Sequence, residues 1–434
     1  MNVILDIGLL SGWFVITVYA VAALVALLLI AVRPSIRWRR RTWLLTVVIA
    51  AVAGAGLGLF LTWLLSDTLN LFGAVLTVVA RTWIAAGFAG MAVAIASLWH
   101  ATWRRVIGSV LAVILFAGTT AMSINIDFGQ YPTVRAALGI SVYADDITPY
   151  IHPASSTASI ATWTAPADLP SAGKVGSVTI PSTVSGFPAR KAVVYLPPAA
   201  LTANPPKLPV IVVLSGQPGT PDDPLLSSKL EQSSNAYAAA HQGLAPIIVS
   251  PDQLSAPDKN PLCIDSPAGN SATYITVDVT NWIRANLPVL DGPHYWGIGG
   301  LSQGGTCSIQ LGAAHPELYG AILDASGEEF PSLGSEQTTI DKGFGGDAAA
   351  YAAASPAAIM AANAPYSDMF AVFGVGSQDT SFIPGTQRLY ADAQAAGMDA
   401  TYIEAQGSGH DATTWSYVFQ QGLGLIADHW GLDR

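Results

Sequence analysis

The stretch Tyr295-Trp-Gly-Ile-Gly-Gly-Leu-Ser-Gln-Gly-Gly305 decides the fold of this chain. It predicts a short apolar strand, then the pattern Gly-x-Ser-x-Gly at 300–304, then a helix through Thr306 and the residues after it. This strand–turn–helix context is typical of a nucleophile elbow, in which glycines flank a turn too tight for side chains. Ser302 would expose its hydroxyl at a helix N-terminus, where backbone dipoles favour negative charge. We therefore predict that Ser302 is a catalytic nucleophile rather than an ordinary loop serine.

The charges of the chain are divided unevenly along its length. Residues 1–126 contain eight Arg, no Lys and two Asp, whereas residues 127–434 contain 11 Lys and Arg against 27 Asp and Glu. This division predicts a membrane-embedded first part followed by an acidic soluble domain. The acidic domain has no basic stripe that could meet phosphates, so we expect no nucleic-acid partner.

Four apolar stretches in the first part are each long enough to cross a bilayer. We predict transmembrane helices at about residues 9–32, 43–65, 75–99 and 106–126. The first stretch lacks a basic start and a small-residue cleavage site, so we do not expect a removable signal peptide. The four stretches carry no acidic relay and no His/Glu cluster, which favours an anchor over a transport pathway.

Arginines in the loops predict which side of the membrane each part faces. They cluster at 33–41 and 100–105, and the positive-inside rule places both loops in the cytoplasm. With four spans, the N-terminus and residues 127–434 then lie on the extracytoplasmic side. Arg81 is the exception, and we expect it at the outer interface.

After a connector at 127–172, residues 173–434 alternate apolar strands with helices. The predicted strands are 175–180, 189–196, 209–214, 245–250, 295–299, 320–324, 368–375 and 401–404, and the predicted helices besides that of the elbow are 228–241, 272–287, 341–363, 387–396 and 415–430. This alternation predicts an α/β domain with a doubly wound, mostly parallel sheet.

A nucleophilic serine needs a base and an acid that orients the base. His410 lies in the loop after the last predicted strand, and Asp379 in the loop after the preceding strand. Both follow carboxyl ends of strands, at the sheet edge expected for Ser302. Asp324 and Asp368 stay open as rivals for the acid, whereas Asp411 is adjacent to the histidine but badly placed to orient it.

The backbone N–H groups of Gln217 and Gln303 are the predicted oxyanion donors. Gln303 follows the nucleophile, and Gln217 lies in the loop after the strand 209–214. Pro218, the next residue in that loop, has no N–H to donate.

Cys263 and Cys307 are the only cysteines in the chain. Outside the membrane, two thiols are more often paired than free, so we favour a disulfide. It would fix the loop 260–267 beside the elbow. Two separate buried thiols are the alternative.

Several segments resemble the putative-esterase family of α/β-hydrolases, which includes esterase D, feruloyl esterases and mycolyltransferases. They lie within about residues 174–430 and are 192–198, 212–216, 300–306, 315–319, 326–327 and 409–411. The four-helix N-terminus is similar to that of actinobacterial membrane-anchored esterases. The resemblance implies an α/β-hydrolase fold and ester chemistry through an acyl-enzyme, and we expect no metal or other cofactor.

Two positions depart from the family pattern. Ser215 stands where the family commonly has the His of a His-Gly pair, which leaves backbone donation intact. Mycolyltransferases use Glu as the triad acid, whereas this chain offers Asp379, which argues against mycolyl transfer.

These features together predict a membrane-anchored serine esterase that acts outside the cell on a lipid or cell-envelope ester. An acyltransferase of the mycolyltransferase type is an alternative, because the same acyl-enzyme then reacts with a sugar or lipid hydroxyl. A catalytically inactive envelope-binding protein is another, and the intact Ser/Asp/His set argues against it. The sequence leaves the oligomeric state and the particular ester open.

The predicted topology can be tested with reporter fusions. Alkaline phosphatase joined after residue 140 should be active, because the arginine loops place this point outside the cytoplasm. A fluorescent cytoplasmic reporter joined at the same point is the control and should be dark. The reverse pattern of the two reporters would overturn the topology.

Overall fold

The computed structural model describes residues 2–69, 75–151 and 159–433. Contacts divide the chain into two units, Met1–Ile140 and Ser141–Arg434. The predicted connector, 127–172, is thus shared between the two units, and its residues 152–158 lie outside the described part of the chain.

Four helices of the first unit are long and apolar enough to cross a membrane. In chain order, the helices of this unit are α1 (Asn2–Leu5), α2 (Trp13–Ala31), α3 (Arg40–Thr62, continued by a π-helical turn, Trp63–Thr68), α4 (Val78–Ala96), α5 (Trp103–Phe128) and α6 (Val134–Ala137). Most of their apolar side chains are exposed in the isolated chain, as expected of helices that face lipid. Arg81 donates to both carboxylate oxygens of Asp67, at 2.9 and 2.5 Å, so its charge is paired.

Apolar runs form the strands of the second unit. They are β1 (Lys174–Val178), β2 (Ala192–Leu196), β3 (Val210–Leu214), β4 (Ile247–Ser250), β5 (Asp265–Ser266), β6 (Gly269–Asn270), β7 (Trp296–Leu301), β8 (Ala321–Ala325), β9 (Phe370–Gly376) and β10 (Asp399–Ala405). Eight of them form one sheet in the order β1-β2-β4-β3-β7-β8-β9-β10, and β5 pairs with β6. The pairs from β4 to β10 are parallel, whereas β2 runs antiparallel to β1 and β4. The predicted mostly parallel sheet is confirmed.

Helices separate most of these strands. They are α7 (Asp223–Leu226), α8 (Leu230–Ala240), α9 (Ser271–Thr273), α10 (Thr280–Asn286), α11 (Gln303–Ala314), α12 (Glu336–Gly343), α13 (Ala348–Ala353), α14 (Pro356–Asn363), α15 (Ile383–Ala395) and α16 (Ala412–His429).

The prediction of one helix over 341–363 was wrong, because this stretch belongs to three short helices, α12, α13 and α14. Gly345 and Gly346 have φ values of 61° and 89°, which end the helical path. The side chains of Asp347 and Ser355 then cap the starts of α13 and α14.

The strand order places a crevice beside the elbow. β3 and β7 are neighbours in the sheet, although the chain visits β4 on the other side of β3 before it returns to form β7. Such a reversal of strand order is a topological switch point, and ligands of open α/β sheets bind there, beyond the carboxyl ends of the strands. Ser302 follows β7 directly.

Candidate active site

The elbow holds Ser302 in a backbone conformation that few side-chain-bearing residues adopt, with φ 51° and ψ −120°. The neighbouring glycines make this turn possible. A Cβ at Gly300 would lie 2.1 Å from the carbonyl oxygen of Gly304, and a Cβ at Gly304 would lie 2.4 Å from that of Leu214. The Ser302 N–H also donates to the Ala325 carbonyl at 2.8 Å, which ties the turn to β8.

The structure brings together Ser302, His410 and Asp379. Nε2 of His410 lies 2.9 Å from Oγ of Ser302, and Nδ1 lies 2.9 Å from Oδ2 of Asp379. Because the Asp379 carboxylate accepts the Nδ1–H, Nε2 is free to accept the serine proton. The side chains of His410 and Asp379 are only 12% and 4% exposed, so water screens their interaction weakly.

The rival carboxylates have other partners. Oδ1 of Asp324 accepts the N–H of Gly327 at 2.8 Å. Asp368 lies 3.3 Å from His294, before the start of β9 rather than after its end. Asp411 accepts backbone N–H groups at the start of α16 as its N-cap. Among the described residues, Asp379 is therefore the carboxylate that is hydrogen-bonded to the triad histidine.

The loop that follows β3 lies against Ser302. A Cβ at Gly216 would lie 3.5 Å from Cβ of Ser302. Gln217 follows in this loop, and Gln303 is the first residue of α11, so its N–H has no partner within the helix. Both predicted oxyanion donors thus belong to segments that border Ser302, and their role stays a prediction.

A buried amide network under the elbow was not predicted from the sequence. The side chain of Gln303 donates to Asn260 at 3.0 Å and accepts from Gln253 at 3.1 Å. Gln253 also donates to the Ser215 carbonyl at 2.7 Å. The network joins the segments that follow β3 and β4 to the elbow. Gln253 and Asn260 lie in a loop without a spacing pattern, so the sequence carried no signal for their contacts with Gln303.

The structure pairs Cys263 with Cys307, with their Cα atoms 5.5 Å apart. Nε2 of Gln303 lies 3.1 Å from the Cys307 sulfur. The pair connects the segment after β4 to α11, just over one helical turn beyond Ser302.

Two aromatic rings fix the plane of the triad imidazole. Phe382 stacks on His410 with ring centroids 4.1 Å apart, and Trp415 meets it edge-on at 5.4 Å. Neither residue was predicted. The sequence did place Phe382 just after Asp379, and Trp415 in the first turn of α16, and this nearness to Asp379 and His410 could have indicated the ring contacts.

Two further carboxyl groups near the site have raised pKa values. Burial raises the pKa of Asp324 to about 8, and the N–H of Gly327 offsets only part of this effect. Burial also raises the pKa of Glu328 to about 7, and the charge of His410 acts in the opposite direction. Both groups therefore stay protonated to a higher pH than an ordinary carboxyl, which lessens the negative charge that would compete with Asp379 for the His410 imidazolium.

Known proteins resemble this chain in both sequence and structure. A sequence profile of the family described as "Putative esterase" matches residues 188–426. An uncharacterised protein of Corynebacterium glutamicum is 36% identical over 309 residues, which cover 69% of this chain and 70% of that protein. A solved ferulic acid esterase is 18% identical with a TM-score of 0.50 and covers 60% of this chain and 99% of its own. A solved S-formylglutathione hydrolase of Agrobacterium tumefaciens is 17% identical with a TM-score of 0.49, and the match covers 60% of this chain and 96% of that protein.

The second unit has an α/β-hydrolase-like fold, as its likeness to the ferulic acid esterase shows. The chain belongs to the putative-esterase family, whose profile covers more than half of it.

The raised pKa of Asp324 predicts a pH-dependent effect of Asp324→Asn on stability. The native state keeps a proton on this group that the unfolded state releases above about pH 4. The group therefore costs the wild type stability as the pH rises from about 4 towards about 8, and Asn removes that cost. We expect the melting temperature of the variant, relative to wild type, to be higher at about pH 8 than at about pH 5.

The exposed Asp392→Asn variant is the matched control for these melts and should show no such trend. An offset for Asp324→Asn that is equal at the two pH values would mean that the buried carboxyl titrates normally.

Proposed function

We propose that this protein is a membrane-anchored serine esterase that hydrolyses an ester of a lipid or cell-envelope molecule on the extracytoplasmic side. The observation that carries the proposal is the hydrogen-bonded chain from Ser302 through His410 to Asp379, with both contacts at 2.9 Å, in a member of an esterase family.

The geometry supports a two-step acyl transfer through an acyl-enzyme. Oγ of Ser302 attacks the ester carbonyl carbon while Nε2 of His410 takes the hydroxyl proton. The backbone N–H groups of Gln217 and Gln303 stabilise the oxyanion, and each such donor contributes about 3–4 kcal/mol. The imidazolium gives its proton to the departing alcohol. Water, deprotonated by the same nitrogen, then releases the acid and restores Ser302.

Attachment of the catalytic domain to the membrane supports the proposed substrate class. Four helices that are long and apolar enough to span a bilayer precede the domain. A tethered enzyme meets esters within reach of the bilayer at a high effective concentration. Arginines at 33–41 and 100–105 support the extracytoplasmic side, and the Cys263–Cys307 pair fits an oxidising compartment.

The triad assignment predicts large losses of turnover in single variants. Ser302→Ala, His410→Ala and Asp379→Asn should each lower kcat/KM for p-nitrophenyl acetate by about 10³-fold or more. His315→Ala and Asp392→Asn are the matched controls, because they change a half-buried histidine and an exposed aspartate that lie away from the site. Circular dichroism confirms folding. Near-normal turnover of folded Ser302→Ala would contradict the assignment.

The same proteins test the substrate class. Envelope lipids extracted from the source organism should release free acid with the wild type and not with Ser302→Ala, as measured by mass spectrometry. Appearance of a newly acylated sugar or lipid in place of free acid would mean that the reaction is acyl transfer rather than hydrolysis. Turnover of p-nitrophenyl acetate without any change in the lipids would contradict the lipid and envelope substrate class while leaving the esterase assignment intact.

A further inference from the structure

A second cluster of chemically active side chains lies at the opposite ends of the elements that carry the triad. His294 lies two residues before β7, Asp368 two residues before β9, and His429 is the last residue of α16. The triad residues lie beyond the other ends of these same three elements. Because β7 has six residues, the cluster lies about 20 Å from the nucleophile.

The three side chains converge on one point. One ligand-type atom from each residue lies within 4.8 Å of the other two. Nδ1 of His294 is 3.3 and 3.4 Å from the two carboxylate oxygens of Asp368. The rings of His294 and His429 have centroids 4.9 Å apart.

His429 carries a buried ring nitrogen. Its Nε2 is inaccessible to water and has no hydrogen-bond partner among the described residues. Phe370 stacks on the ring at 4.9 Å and fixes its plane. A buried polar atom without a partner is costly, and a bound cation would remove that cost.

Close backbone packing at Gly320 brings His294 towards Asp368 and His429. A Cβ at Gly320, just before β8, would lie 3.0 Å from Cα of His294 and 2.7 Å from the carbonyl oxygen of Pro293. Glycine at this position lets the segment before β7 lie across the start of β8, towards Asp368. Asp399, at the start of β10, adds negative charge nearby, which favours a cation.

We propose that His294, Asp368 and His429 bind a divalent transition-metal ion, of which zinc fits best. Zinc takes imidazole nitrogen and carboxylate oxygen at about 2.0–2.2 Å in a tetrahedral shell, so its ligand atoms lie about 3.3 Å apart. The His294–Asp368 separation already has this value, and His429 completes three protein ligands with a small side-chain shift. The fourth position is taken by water.

The ion would clamp the three triad-bearing elements at the ends away from the site. It would therefore stabilise the scaffold of the hydrolase domain and take no part in the ester chemistry. The inference rests on these three residues alone and does not depend on the proposed function.

Zinc titration of the intact protein tests the proposal. Full-length protein in detergent, purified with a histidine-free tag and stripped with EDTA, is titrated with zinc chloride by calorimetry and by thermal melting. We expect one zinc ion per chain and a melting temperature raised by several degrees, because zinc then binds only the folded state. His294→Ala and Asp368→Asn should each weaken binding at least about tenfold and abolish the thermal shift.

Two histidine variants serve as matched controls. His315 also contacts a carboxylate, Glu317 at 2.9 Å, but it belongs to no three-ligand cluster among the described residues, so His315→Ala should bind zinc as the wild type does. His410→Ala should also retain binding, since the triad histidine lies at the other end of α16. Absence of binding, equal binding in the His294 and Asp368 variants, or loss of binding in His410→Ala would each overturn the proposal.

Discussion

The candidate active site depends on one steric constraint, the close approach of backbone carbonyls to the two glycines of the elbow. The carbonyl oxygen of Leu214 lies where a side chain at Gly304 would begin, and that of Gly304 lies where one at Gly300 would begin. This packing lets Ser302 keep a φ of 51° and ends β7 where α11 starts. A strained backbone of this kind persists only when its surroundings hold it in place.

The surroundings of the elbow supply that support. Gln303 joins Gln253 and Asn260 in a buried amide network, so loops from two other strands share hydrogen bonds with the residue after the nucleophile. The Cys263–Cys307 pair adds a covalent connection across the same interface, between residues 44 positions apart. The hydrogen bonds between these amide side chains restrict the loops, because another arrangement would break them. The position of Ser302 is thus set jointly by α11 and by the segments that follow β3 and β4.

The sequence predicted the features that depend on local pattern. Apolar runs located all eight strands of the main sheet, and loop positions after strands located Asp379 and His410. It mispredicted 341–363, because the alanine content of that stretch outweighed the glycine pair at 345–346. It also missed the amide network, Phe382 and the His294 cluster. Those contacts join residues tens of positions apart, and only the sheet order determines which chain segments meet.

The central claim is that Ser302 forms a covalent acyl-enzyme, and trapping that intermediate tests it most directly. The wild-type protein is mixed with p-nitrophenyl acetate, quenched in acid within the first turnover and digested for peptide mass spectrometry. The account predicts a single acetyl group on Ser302. The Oγ of this residue lies 2.9 Å from Nε2 of His410, the base that would activate it. Product release without any acyl adduct on the peptide that contains Ser302, or an adduct on another residue, would contradict it.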